Sequence, residues 1–132
     1  MSLSKLNKIF IVLILSFISI IGFMIKLPRV FSQHDKALHF LFYFFAAFTL
    51  NFLWANSNEK LLNFLKHIAI AFFLGFFGIF IEIAQELSNH LVTKRIHGNF
   101  DPEDIFFNIL GLIFFSGIWM VYKIGKMLLN VW

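Results

Sequence analysis

The chain contains no cysteine. Disulfides and thiolate metal sites are therefore excluded, while the redox compartment stays open. Charge is also scarce: Asp, Glu, Lys and Arg make up 14% of 132 residues against 60% hydrophobic ones, too few to clothe a water-soluble domain of this size. The His-Glu-x-x-His and Gly-x-Ser-x-Gly signatures are absent, as is a phosphatase-like array of Arg and His. No inverted repeat is detectable, which argues against a single-chain carrier. The strict alternation of a membrane β-strand is missing, and the length leaves no room for a second folded domain.

What is present is apolar and falls into four runs, 9–25, 37–54, 68–87 and 105–122, of roughly 17 to 20 residues each. At about 1.5 Å per residue, each covers most of a hydrocarbon core about 30 Å thick. The expectation is an all-α membrane protein, a single domain over 1–132 built as a four-transmembrane-helix up-down bundle. The 21 Phe residues read as lipid-facing filler, because lipid tails accept any apolar side chain. Lys5 and Lys8 ahead of the first run resemble the start of a signal peptide, but "GFMIKLPRV" offers no small-x-small cleavage site, so the segment reads as an uncleaved first helix.

In such a bundle Lys5, Lys8, Lys60, Lys66, Lys123 and Lys126 fall on one face, and Lys26, Arg29, Lys36, Lys94 and Arg95 on the other, six against five. Together with the basic N-terminus, this favours both termini in the cytoplasm. The net charge of +4, spread over both faces, suits a lipid bilayer and forms no nucleic-acid footprint.

Polar groups in hydrocarbon cost on the order of 1 to 3 kcal/mol unless partnered, so their positions carry information. They gather at three helix ends: Asp35, Lys36, His39 and Tyr43 on the second helix, Glu82, Gln85 and Glu86 on the third, Asp104 and Asn108 on the fourth. In an alternating bundle these ends share one face, which is extracytoplasmic if the termini are inside. Asp35 and Asp101 suit helix caps, Pro102 the first helical position, and the acids after it the positive end of the helix dipole. Asn108 lies one turn beyond Asp104, and Gly111 continues that stripe, as Gly75 and Gly78 continue the stripe of Glu82. Glu82 reads either as interhelical glue or as part of a site, and His39 as a structural group or a ligand. Arg95, in the long third loop, is the natural cationic partner for Glu82, Glu86 or an anionic ligand. His34, His67, His90 and His97 are expected to be solvated.

The order "DKALHFLFYF", "EIAQE", a loop arginine and "DPEDIFFNILG" resembles the VanZ-like family of small bacterial membrane proteins. The likeness runs from Asp35 to Gly117, about three fifths of the chain, and rests on Asp35, Lys36, His39, Glu82, Gln85, Arg95, Asp104, Asn108 and Gly111. Arg95 stands nine positions before Asp104, farther than the resemblance leads one to expect. The family takes its name from a member associated with low-level resistance to teicoplanin. The resemblance implies a multi-helix protein of the bacterial cytoplasmic membrane; taken with the one-sided polar cluster, it leads to the expectation of an envelope protein whose pocket binds a cell-wall precursor or a glycopeptide. Two other classes stay open: a metal-dependent intramembrane enzyme for a lipid-linked phosphate or ester, with His39, Glu82 and Asp104 as ligands or acid-base groups, and a purely structural bundle. The sequence assigns no catalytic residue, metal site or cofactor.

Overall fold

A computed structural model describes residues 4–24, 34–55, 59–91 and 100–129. These form four α-helices, α1 (Lys5–Met24), α2 (Asp35–Trp54), α3 (Lys60–Leu91) and α4 (Pro102–Leu129), with no strand among the described residues. Each helix is long and apolar enough to cross a membrane. The two long helices exceed their apolar runs, α3 starting eight residues before Ile68 and α4 ending seven after Tyr122. The reason is that hydropathy marks only the part fit for hydrocarbon, whereas backbone hydrogen bonding carries a helix on through polar residues such as Asn63, Lys66 and His67.

The contacts between helix ends fix the directions. Phe23, near the C-terminal end of α1, stacks on His39 near the start of α2 at 4.2 Å between ring centroids, and its carbonyl accepts a hydrogen bond from Gln85 near the end of α3. At the opposite end, Lys8 Nζ donates to the Leu53 carbonyl at 2.6 Å and lies over the Trp54 ring. Successive helices therefore alternate in direction, leaving α2 and α4 parallel neighbours.

That parallel pair is the most extensive helix contact, and glycine makes it possible. A Cβ on Gly111 would overlap the Phe40 carbonyl oxygen and stand 3.2 Å from the Phe44 nitrogen, so backbone packs directly on backbone. Ala46 and Ala47 keep the α2 surface equally low, and Tyr43, Leu50, Leu74, Leu112 and Phe115 fill the space left. Much of the remaining apolar content faces outward: Phe115 is the one buried phenylalanine among the described residues, while Phe45, Phe48, Phe52, Phe72, Phe76 and Phe80 are exposed. Apolar residues outside and polar ones inside is the arrangement that suits lipid and would aggregate in water.

A second polar cluster braces the far end of the bundle. His67 is buried, correcting the expectation that it is solvated, because α3 begins a full two turns before it and turns it inward. Its Nδ1 pairs with Asn51 Oδ1 on α2 at 2.9 Å, its Nε2 with Ser116 Oγ on α4 at 3.1 Å, and its ring stacks on Trp119 at 4.2 Å. One side chain of α3 thus ties α2 to α4. Asn51 and Ser116, both inside apolar runs, were the sequence signals for it. His34 and His90 are exposed as expected, and His97 lies outside the described residues.

Candidate functional site

The site is built from the start of α4. Asp101 caps that helix, its Oδ1 accepting the Glu103 N–H at 2.8 Å, and Pro102 occupies the first helical position, where no N–H is needed. This turn sets the phase of the helix. Asp104, Asn108 and Gly111 come to lie on its buried face.

The carboxylates at the end of α3 hold the chain as it enters α4. Glu82 Oε2 accepts the Asp101 N–H at 3.3 Å, and Glu86 Oε2 accepts the Phe100 N–H at 3.2 Å. Glu86 also pairs with His90 at 3.2 Å and stays half-buried at the rim. Glu82 is 0% exposed, and its second oxygen has no hydrogen-bond partner among the described residues. A latch alone would need only one of those oxygens.

The start of α2 supplies the opposite wall. His39, 2% exposed, pairs through Nδ1 with Asn108 Oδ1 at 2.8 Å. An amide oxygen only accepts, so Nδ1 is the donor in this pair and Nε2 is the ring atom turned towards the carboxylates. That atom faces Asp104 Oδ2 at 3.7 Å and Asp35 Oδ1 at 3.8 Å, both beyond hydrogen-bond reach. Tyr43, one turn deeper, is fully buried, its hydroxyl without a hydrogen-bond partner among the described residues. A Cβ on Gly78 would stand 2.9 Å from that hydroxyl and 3.0 Å from Asn108 Nδ2, so glycine there leaves room for both polar groups against α3.

Three helices thus bring Asp35, His39, Tyr43, Glu82, Asp104 and Asn108 together at one end. Other expected members sit differently. Asp35 is the first residue of α2 and caps nothing, since the preceding residue His34 holds the cap position without a side-chain bond. Lys36 forms an ion pair with Glu103 at the half-exposed rim and does not enter the pocket. Gln85 is buried but turns towards α1, spending its amide on the Phe23 carbonyl. Gly75 makes only ordinary contact with Leu112 at 3.9 Å, so close approach rests on Gly78 and Gly111. Arg95 lies outside the described residues. Phe23, which no polarity pattern marks, packs over the His39 ring. A separate crevice between α1, α2 and α3, lined by Val12, Leu15, Phe42, Phe77 and neighbours, is apolar and shares no residue with the polar end.

Among the described residues, the arrangement is all-α, four membrane-length helices with a largely buried, acid-rich cluster of side chains at one end. No family model, curated protein or solved structure matches the chain.

Proposed function

We propose that the chain is a multi-pass protein of the bacterial cytoplasmic membrane, of the VanZ-like kind. Both termini lie in the cytoplasm, and the polar chamber opens at the extracytoplasmic boundary to bind a cell-wall component or a teicoplanin-type glycopeptide. The observation that carries this reading is the gathering of six polar side chains from three helices at one end of a bundle whose outer surface is apolar. A bundle that used these groups only as glue would pair them all, since a buried polar atom left unpaired costs about 1 to 3 kcal/mol. Here Glu82 Oε1 and the Tyr43 hydroxyl have no hydrogen-bond partner among the described residues. The resemblance of "DKALH", "EIAQE" and "DPEDIFFNILG" to the VanZ-like family supplies the envelope context.

A metal-dependent enzyme for a lipid-linked phosphate or ester is the second reading, favoured by the approach of His39 to two carboxylates. Its ligand set would use Asp35 where the sequence pointed to Glu82.

Deletion of the gene tests the first reading. The deletion strain is expected to become more sensitive to teicoplanin, the intact gene to restore tolerance, and an Asp104→Asn copy to fail. An unchanged susceptibility profile across wall-active agents would overturn it.

A further inference from the structure

Among the described residues, acids outnumber bases at this end of the bundle. Glu82 is in electrostatic contact with Asp104, Asp101 and Asp35. The nearby cation, Lys36, is taken by Glu103. At the centre stands the His39 ring, its Nδ1 committed to Asn108 and its Nε2 turned towards two carboxylates that it does not reach. Two carboxylates brought near each other inside a bundle repel, and a cation held between them and the imidazole turns the repulsion into attraction.

The dimensions fit such an ion. Asp35, His39 and Asp104 each offer one ligand atom, and these atoms lie within 4.8 Å of one another. Ligand atoms about 2.0 to 2.2 Å from a tetrahedral zinc stand about 3.4 Å apart, so small side-chain shifts close the set. Asn108 already makes the second contact that metal-binding histidines have, a hydrogen bond to the other ring nitrogen that fixes the tautomer. Stacking of Phe23 holds the ring plane.

We propose that Asp35, His39 and Asp104 form a site for one divalent transition-metal ion, with Zn²⁺ preferred over Mg²⁺ and Ca²⁺. The imidazole sets the preference, because the hard alkaline-earth ions favour oxygen ligands alone. Three protein ligands leave a coordination position open, as in catalytic rather than structural zinc sites, and Asp35 is the half-exposed ligand at the mouth. An anionic oxygen arriving from the boundary would complete the shell. This builds on the reading of the polar end as a binding chamber, but metal content and drug sensitivity are separate measurements: an unchanged drug profile with zinc bound leaves the metal site standing, and the reverse leaves the envelope reading standing.

The test uses the full chain purified in detergent, stripped with a chelator, titrated with ZnCl₂ and passed through gel filtration before elemental analysis. One Zn²⁺ per chain is expected, undisturbed by excess Mg²⁺. Asn108→Ala should weaken binding about 10- to 100-fold, and His39→Gln and Asp104→Asn by more than about 100-fold. Asp35→Asn is the variant least able to disturb folding, because its side chain is 42% exposed, and it should lose binding too. His90→Ala, at an exposed histidine beside Glu86, should bind as the wild type does. Absence of zinc from the wild-type chain, or wild-type binding by folded Asp35→Asn and Asp104→Asn, would overturn the proposal.

Discussion

Gly111→Ala is expected to lower stability in detergent by about 1 to 3 kcal/mol, and Gly111→Leu to prevent the folded protein from accumulating. The direction is the informative part. In the interior of a helix, alanine ordinarily stabilises relative to glycine by about 0.5 to 1 kcal/mol, because glycine loses more backbone entropy. At Gly111 that gain is overridden, since the added Cβ overlaps a backbone carbonyl of α2, which cannot swing aside as a side-chain tip could. Gly117 and Gly125 lie on the same helix with nothing within 4 Å of an added Cβ. Gly117→Ala and Gly125→Ala should therefore be neutral or stabilising. Thermal unfolding of the three variants side by side checks the claim; if Gly111→Ala behaves like the other two, the packing of α2 on α4 described here is wrong. The consequence reaches the chamber, because the same helix pair carries the His39 to Asn108 hydrogen bond.

The second large effect concerns Glu82. Glu82→Gln keeps an oxygen to accept the Asp101 N–H and removes the charge. Keeping a carboxylate charged away from water costs several kcal/mol, and Glu82 has no exposed surface and three other acids nearby. Stability is therefore expected to hold or to rise by about 1 kcal/mol, following the pattern of buried charges replaced by neutral groups. Restoration of teicoplanin tolerance in the deletion strain is expected to be lost completely. A gain in stability with a loss of function marks a residue kept for its chemistry. Full restoration by Glu82→Gln would reduce Glu82 to a latch on the chain entering α4.

Much of this chamber is legible in the sequence, because helical periodicity is short-range. Asp104, Asn108 and Gly111 lie on one buried face because four- and seven-residue spacings must bring them there once the helix forms. The helix itself is announced by Asp101 and Pro102. Glu82 stands out by being charged inside an apolar run. What spacing does not reveal is which of several inward groups a neighbour will claim. Lys36 and Gln85 have the right phase, yet a long flexible side chain reaches the nearest opposite charge or open carbonyl, so they end on Glu103 and Phe23. The His67 brace was missed for a related reason. Hydropathy placed that residue at a helix edge, while the backbone had been helical since Lys60. Phe23 was invisible because a ring stacked on imidazole and a ring facing lipid look alike in sequence.

The central claim is that these helices cross a membrane in alternation, with the acid-rich chamber at its outer face. A chain without cysteine allows a direct test by single-cysteine labelling, because the background is nil. His34 and Leu91 are exposed at the chamber end, and Ser4 and Lys60 at the other. With a membrane-impermeant maleimide on intact cells, His34→Cys and Leu91→Cys should label, and Ser4→Cys and Lys60→Cys only after lysis. Labelling of Ser4→Cys or Lys60→Cys in intact cells, with His34→Cys and Leu91→Cys protected, would place the chamber in the cytoplasm and contradict the account.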